Sequence, residues 1–154
     1  MKIEPFLTDD AQQTQGFVDD YLLFQLARAS HVLSGEFHSY LKDQGVKIYT
    51  WRVLACLVDK PGLMLTQLSR RVFYEQSRLT KIIDQMVAEG LVTKVGDKLD
   101  RRKTALFVTD KGAEIVRPLV VKAQEHEESS LVILTARERK SFKKILRKLG
   151  RLQS

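Results

Sequence analysis

Two short segments with helical spacing of apolar residues, followed by a change to strand spacing, restrict the fold of this chain more than any other feature. The segments lie at 65–72 and 75–89, long enough for about two and about four helical turns. Gly90 follows the second segment, at the position where a helix commonly ends. Helices this short, joined by so tight a connection, indicate a helix-turn-helix unit.

After Gly90 the residue pattern is that of two strands. Residues 91–95 and 104–108 are rich in Val, Thr and Leu, and they flank a charged loop at 96–103. We predict a β-hairpin directly after the helix-turn-helix unit, which makes the module at 47–108 a winged helix-turn-helix. The expected fold class is mainly α (α+β).

Longer amphipathic helices flank this module. They are expected over 17–43, from Thr109 to about residue 130, and after Thr135 and Glu138, which have capping-box spacing. Their apolar faces exceed what one small module can cover, which predicts a homodimer. The expected organisation is a flexible arm at 1–16 and a single domain at 17–154, with dimerisation helices at 17–45 and 109–154. The residues expected at the dimer interface are Phe17, Tyr21, Leu22, Leu131, Leu134, Phe142, Ile145, Leu146 and Leu149.

Composition narrows the class of protein without naming a partner. The chain has 154 residues, 44% of them hydrophobic, and a single cysteine, Cys56. It has no signal-peptide pattern and no long apolar run, so we expect a cytoplasmic protein. The formal net charge is +7, but residues 135–154 hold eight basic residues and one acid, so the first 134 residues are neutral. Net charge alone is therefore weak evidence for a polyanionic partner.

The second short helix carries a polar face that suits a DNA groove. A major groove accepts one helix, with short polar groups for phosphates and long donors for base edges. The wing loop adds cations that fit a narrow minor groove, and an acid that is expected to pair with a neighbouring arginine. Alternatively, both are ordinary solvated surfaces. The candidate DNA contacts are Gln76, Ser77, Arg78, Thr80, Lys81, Asp84, Lys98, Arg101, Arg102 and Lys103, with Asp100 as wing support.

The order of motifs resembles the MarR family of transcriptional regulators. The resemblance lies in S-x-L-T-K-I-I-D-Q-M-x-x-x-G-L-V at 77–92, D-x-x-D-R-R at 97–102, V-T-D-K-G at 108–112 and W-R-V-L at 51–54. It implies a winged-helix homodimer that binds a pseudopalindromic operator in double-stranded DNA, usually as a repressor released by a small ligand or by oxidation.

The resemblance also assigns individual residues and shows two departures. Arg101 matches the family's minor-groove arginine, and Asp100 matches its supporting acid. Lys81 stands where the family commonly has Arg, and Met64 replaces the usual capping hydroxyl before the first short helix.

A second face of the first long helix suggests an effector site. His and Ser side chains there, near aromatic residues and an arginine of the next helix, suit an aromatic carboxylate held by a cation and imidazole donors. The family resemblance implies such a pocket between the dimerisation helices and the winged module. The alternative is a half-exposed polar face with satisfied histidines. The candidate ligand-binding residues are Phe24, Arg28, His31, Ser34, His38, Tyr49, Trp51 and Arg52.

Other functions find less support in the sequence. His31 and His38 are seven residues apart and supply at most two ligands of a metal site. Cys56 has the surroundings of a core residue. Metal sensing or oxidant sensing is therefore only an alternative to a small ligand as the signal that controls the protein. The basic last helix also fits a membrane-surface or scaffold protein. Neither a catalytic constellation nor a cofactor motif is apparent, so we expect no enzyme, no cofactor and no bound metal.

Overall fold

The computed structural model describes residues 16–96 and 104–150, and within them it is mostly helical with one small sheet. The elements, in chain order, are α1 (Phe17–Asp20), α2 (Leu22–Asp43), α3 (Ile48–Asp59), β1 (Leu63–Met64), α4 (Leu65–Val72), α5 (Gln76–Ala88), β2 (Val92–Gly96), β3 (Thr104–Val108), α6 (Asp110–Ser130) and α7 (Ala136–Gly150). The predicted fold class and the predicted wing are confirmed. The predicted N-terminal arm at 1–16 lies outside the described residues, apart from Gly16.

The first predicted helix is divided in two. Tyr21 has an extended backbone, with φ −68° and ψ 109°, so α1 ends there and α2 begins at Leu22. The side chain of Gln25 donates a hydrogen bond of 2.6 Å to the carbonyl oxygen of Asp19, which satisfies a carbonyl near the end of α1. Asp19 and Asp20 precede α2, where carboxylates interact favourably with the helix dipole. The prediction of one continuous helix over 17–43 was therefore wrong at Tyr21.

A boundary between two compact units lies inside α2, between Glu36 and Phe37. In the N-terminal unit, the side chains of α1 and the start of α2 are largely exposed, and Phe17 is 72% exposed. The C-terminal unit holds the residues of both hydrophobic clusters found in the described chain.

The core of the C-terminal unit joins the helix-turn-helix to the sheet. One face of α5 is completely covered, and it packs with α3, α4 and the strands in a single cluster. Its central members are 0–2% exposed: Val53, Leu54, Leu57, Leu68, Val72, Leu79, Ile83, Met86, Val92, Leu106 and Val116. Burial of each such side chain contributes about 1.5–3 kcal/mol, so this cluster fixes the position of α5.

The sheet contains one strand more than the predicted hairpin. β2 and β3 pair antiparallel from Val92 opposite Val108 to Gly96 opposite Thr104, as expected for the wing. The short strand β1 pairs with the other edge of β3, where Leu63 lies opposite Leu106, and the strand order is β1-β3-β2. Because β1 runs directly into α4, the sheet is tied to the first helix of the helix-turn-helix as well as to the second.

At the start of α4, the side chain of Gln67 forms a capping hydrogen bond although the N-cap residue has no hydroxyl group. Met64 is the N-cap residue and has no side-chain oxygen to offer. Three residues later, Gln67 Oε1 accepts a hydrogen bond of 2.9 Å from the backbone N–H of Met64. This is one half of a capping box, and it satisfies a donor at the helix start.

A close backbone contact fixes the start of α6 against the end of the helix-turn-helix. The Thr109 hydroxyl accepts a hydrogen bond from the Gly112 N–H and donates one to the Gly90 carbonyl, at 3.1 and 2.6 Å. A Cβ atom at position 112 would lie only 2.3 Å from the Leu91 carbonyl oxygen and 2.9 Å from Val108 Cγ1. Only glycine fits at this crossing.

We therefore expect Gly112→Ala to lower the free energy of unfolding by about 1–3 kcal/mol, because a rigid backbone oxygen has to move. Urea unfolding followed by circular dichroism, at fixed protein concentration, measures the loss. Gly35→Ala is the matched control, since nothing lies within 4 Å of a Cβ there and the position is helical. Equal stability of the two variants would show that α6 does not pack as described.

Candidate nucleic-acid interface

The face of α5 opposite the core is a continuous polar surface. Leu79, Ile82, Ile83 and Met86 are buried, and every candidate DNA contact on this helix is exposed. These exposed residues are Gln76, Ser77, Arg78, Thr80, Lys81 and Asp84. The N-cap residue Glu75 makes no side-chain capping bond, so its carboxylate does not occupy the amides of the first turn. The structure thus brings together the side chains that the sequence assigned to a major groove.

The sheet lies beside this polar face and forms a hollow with it. Thr80 of α5, Lys94 of β2 and Thr104 of β3 line a cavity of about 470 Å³ together with the start of α4. The Thr80 hydroxyl donates a hydrogen bond of 2.8 Å to the Gln76 carbonyl, so its lone pairs remain available to an external donor. The helix and the wing strands therefore border one concave surface.

An ion pair links α5 to the wing strand β2. Lys94 Nζ lies 2.5 Å from Asp84 Oδ1, and both side chains are partly exposed, so the interaction is screened by solvent. Asp84 was predicted to contact DNA, and the structure gives its carboxylate a partner within the protein. A contact of Asp84 with a base stays a prediction. The candidate wing residues Lys98, Asp100, Arg101, Arg102 and Lys103 lie outside the described residues.

The ring of Tyr74, in the turn between α4 and α5, contacts the side chains of two arginines. The guanidinium carbon of Arg78 lies 4.8 Å from the centre of the Tyr74 ring, and that of Arg52 lies 5.9 Å from it. Both distances are in the cation–π range, so one ring contacts a cation of α3 and a cation of α5. Arg52 was a candidate for ligand binding and Arg78 for DNA binding, and the structure places them on the same aromatic side chain.

A groove of about 1040 Å³ extends from this pair of arginines to the end of α2. Its cations are Lys42, Lys47, Arg52 and Arg78, and none of the described residues that line it is acidic. Tyr49 and Tyr74 provide aromatic surface, Val46 and Ile48 provide apolar surface, and His38 lies at the α2 side. We call this feature the cationic groove.

A hydrogen bond holds Tyr49 at the edge of the cationic groove, and Lys47 lies over its ring. The Tyr49 hydroxyl donates a bond of 3.3 Å to Gln85 Oε1 of α5, and Gln85 Nε2 donates one of 2.8 Å to Glu89. Lys47 Nζ lies 5.5 Å from the centre of the Tyr49 ring, and the interaction with the Tyr49 side chain raises the pKa of Lys47. Tyr49 thus connects the groove to α5 at a second point.

The other candidate ligand-binding residues lie elsewhere. Phe24, Arg28, His31 and Ser34 belong to the N-terminal unit, and the Ser34 hydroxyl donates a bond of 2.6 Å to the Ser30 carbonyl within its own helix. Trp51 packs edge-on against Phe37 at 5.1 Å and lines a separate cavity of about 330 Å³ between α3 and α6. Of the eight candidates, His38, Tyr49 and Arg52 line the cationic groove.

Sequence reasoning missed Tyr74, Lys42 and Lys47 as parts of this groove. Tyr74 precedes Arg78 by four residues, a spacing that brings side chains together on a helix, but it lies in the turn before α5. Lys42 and Lys47 lie on either side of the turn between α2 and α3. Both line the groove, and Gly45, which has a φ of 68°, lies in the turn between them.

The described residues give little support to redox or metal chemistry. Burial raises the pKa of the Cys56 thiol, more than the nearby Arg71 lowers it, so the reactive thiolate is disfavoured. Within residues 16–96 and 104–150, no three His, Cys, Asp or Glu side chains are grouped as metal ligands. In the same residues, no helix is both long and apolar enough to cross a membrane.

At pH 8 we expect Cys56 to react with a thiol-specific disulfide reagent at least about tenfold more slowly in the folded protein than in the unfolded chain. The reason is that the raised pKa lowers the fraction of thiolate and partial burial limits its exposure. The rate of thiolate release, recorded with and without urea, checks this. A folded-state rate as fast as the unfolded one would instead identify a reactive, sensor-type cysteine.

Comparison with known proteins agrees with this geometry. A family model described as MarR family matches residues 44–103, which span the helix-turn-helix. The crystal structure of the MarR family transcriptional regulator SPO1453 from Silicibacter pomeroyi DSS-3 has a TM-score of 0.80 and 40% sequence identity, and the match covers 91% of this chain and 100% of that one.

Two further proteins are more distant. The structure of BpsR from Bordetella bronchiseptica has a TM-score of 0.77 and 23% sequence identity, and the match covers 90% of this chain and 98% of the BpsR chain. That structure is described as showing a mechanism for regulation of DNA binding by 6-hydroxynicotinic acid. The HTH-type transcriptional regulator TtmR from Methylorubrum extorquens (strain PA1) is 29% identical over 104 residues, which are 68% of this chain and 51% of TtmR. The match with TtmR thus spans about half the length of that relative.

The second helix of the helix-turn-helix exposes a polar face beside a hairpin wing. Together with the extent and identity of the match to SPO1453, this shows that the chain belongs to the MarR family of winged-helix transcriptional regulators.

Proposed function

We propose that this protein is a homodimeric, sequence-specific regulator that binds double-stranded DNA and represses transcription until a small aromatic carboxylate releases it. The observation that carries the proposal is the exposed polar face of α5, which borders one concave surface with the wing strands. In this assignment Ser77 and Thr80 contact phosphates, for which the Thr80 hydroxyl turns away from the Gln76 carbonyl. Arg78 and Lys81 read base edges, and Arg101 enters the minor groove.

The dimer is supported by apolar side chains that the monomer leaves in solvent. Tyr21 and Leu22 near the N-terminus, and Ile145, Leu146 and Leu149 near the C-terminus, are 38–69% exposed. Leu131, Leu134 and Phe142 are half-buried. Patches of this kind on both ends of a chain are typical of a two-chain interface. A dimer would also present two α5 helices to two half-sites.

The effector assignment is supported by the charge of the cationic groove and by one relative. The groove has cations and aromatic rings, and no acidic residue lines it in the part of the chain that the structure describes, which suits an aromatic acid. The BpsR structure is described with regulation of DNA binding by 6-hydroxynicotinic acid, a compound of this class.

For the dimer, we expect Leu149→Glu to raise the dimer dissociation constant roughly a hundredfold, about 3 kcal/mol, because symmetry buries two like charges at once. Light scattering during size-exclusion chromatography measures the mass across a dilution series. Val95→Glu is the matched control, since Val95 is similarly exposed, at 51% against 46% for Leu149, but lies on β2. A Leu149→Glu protein that stays dimeric on dilution would place the interface elsewhere.

For DNA, we expect Arg101→Ala to weaken operator binding by about 1–3 kcal/mol, and Lys81→Ala to relax the preference for operator over mutated half-sites. Fluorescence anisotropy with duplexes from the DNA upstream of the protein's own gene, at one fixed salt concentration, measures both. Arg117→Ala on α6 is the control for loss of one exposed arginine.

Unchanged operator affinity in both variants would contradict this mode of docking. Salt-sensitive binding to vesicles of anionic lipid, with no affinity for duplex DNA, would instead favour the membrane-surface function.

A further inference from the structure

Phe73, in the turn between α4 and α5, is an exposed aromatic residue in an unfavourable backbone conformation. The residue is 83% exposed. Among the described residues it is the one non-glycine residue with a positive φ, with φ 58° and ψ 41°. This left-handed region is unfavourable for a residue that has a Cβ atom, and it is rare for a bulky one.

Both features of Phe73 are unfavourable for the protein alone. Glycine at this position would adopt the same backbone conformation without strain, as it does at the ends of many helices. Glycine would also leave no apolar ring in water, where the ring contributes nothing to folding. Strained residues of this kind concentrate at functional sites, so the ring is a candidate for contact with a partner.

The surroundings of Phe73 identify the kind of partner. Residues 65–83 hold four basic residues and one acid. Arg70 lies three positions before Phe73 in the last turn of α4, and Ser77 lies four positions after it in the first turn of α5. Both are exposed. DNA suits a ring among cations and hydroxyl groups, because its phosphates are negative while its sugars and thymine methyl groups are apolar.

The outer face of α4 continues the concave surface that α5 forms with the wing strands. Thr66 lines the same cavity as Thr80 and Lys94. Arg70 follows Thr66 by four residues, so the two side chains lie on one face of α4, and both are exposed. Phe73 is the C-cap residue of this helix. The outer face of α4 therefore leads from the cavity to the exposed ring.

We propose that the end of α4 is a further DNA contact, in which Phe73 packs against an apolar part of the operator and Arg70 binds an adjacent phosphate. The inference rests on the proposed function and adds a contact that neither α5 nor the wing makes. Burial of the ring against a deoxyribose or a thymine methyl group removes apolar surface from water only when DNA is bound. Operator binding thus offsets a conformation that is unfavourable in the free protein.

The two contacts respond differently to salt. A protein that neutralises a phosphate releases counterions, so the logarithm of its affinity for DNA falls with the logarithm of the salt concentration. Loss of one phosphate contact reduces this slope by about 0.9. An apolar contact releases no counterion. Loss of the Phe73 ring is therefore expected to weaken binding by the same factor at every salt concentration.

The test uses the full-length protein and fluorescence anisotropy with an operator duplex over a series of salt concentrations. Phe73→Asn, in which the new residue tolerates the left-handed conformation, is expected to bind about tenfold more weakly with an unchanged slope. Phe73→Tyr keeps the ring and is expected to bind within about twofold of the wild type. Arg70→Gln is expected to reduce the slope by about 0.9 for each protomer.

Urea unfolding and light scattering of the same variants separate DNA contact from stability and dimerisation. Phe73→Gly is expected to unfold at a higher urea concentration than the wild type and yet to bind the operator more weakly, because strain and ring are removed together. Val121→Asn is the matched control, since Val121 is an apolar residue of α6 that is 56% exposed. This control is expected to remain dimeric and to bind the operator like the wild type.

A duplex with deoxyuridine in place of thymidine identifies the surface that Phe73 contacts. If this change weakens binding by the wild type and leaves binding by Phe73→Asn unaltered, the ring packs against a thymine methyl group. Equal changes in the two proteins identify a deoxyribose.

The outcomes distinguish this inference from the proposed function. If the wild type has no affinity for the operator, the proposed function fails and this contact fails with it. If the wild type binds and Phe73→Asn binds equally well, the regulator stands and the contact of Phe73 is refuted. A lower urea midpoint of Phe73→Asn would assign the ring to the fold and overturn the inference. An unchanged salt slope of Arg70→Gln would refute the phosphate contact.

Discussion

The burial of one face of α5 is the interaction on which the rest of the module depends. Leu79, Ile83 and Met86 are at most 1% exposed, and they pack against residues of α3, α4 and the sheet. Because a helix has a period of about 3.6 residues, fixing these three side chains also fixes the direction of every other side chain on it. The exposed polar face, the ion pair with Lys94 and the contact of Arg78 with Tyr74 are consequences of this one packing arrangement.

The sheet gives this arrangement its rigidity. β3 pairs on both edges, with the wing strand β2 on one side and β1 on the other. β1 leads into α4, while α5 leads through Gly90 into β2, so the chain returns to the same sheet before and after the helix-turn-helix. Gly112 lets the start of α6 approach the Leu91 carbonyl, so α6 also packs against this module. A polar helix face on such a support keeps its direction without contributing to the core itself.

Most of this module was predictable from the sequence because its elements have strong, local periodicity. The bounds of α4 and β3 were predicted correctly, and those of α5 and β2 to within one residue. The break at Tyr21 was missed because its neighbours continue the apolar spacing. β1 was missed because two residues become a strand only through pairing with β3, whose paired residues are 41 and 43 positions away in the chain. The cationic groove was found only in part for the same reason, since its walls come from three segments.

In the proposed function, the contact between Tyr74 and its two arginines limits how strongly an effector can act through Arg78. A cation–π contact at an exposed site contributes about 0.5–1 kcal/mol, so Tyr74 orients Arg78 without committing it to the groove. One specific base contact contributes about 1–3 kcal/mol, and a two-fold symmetric dimer would have two such contacts. Withdrawal of both arginines would then cost about 2–6 kcal/mol. In the proposed function, a carboxylate that interacts with Arg78 by about 1–3 kcal/mol in each protomer would therefore be enough to release the operator, with no large rearrangement of the helices.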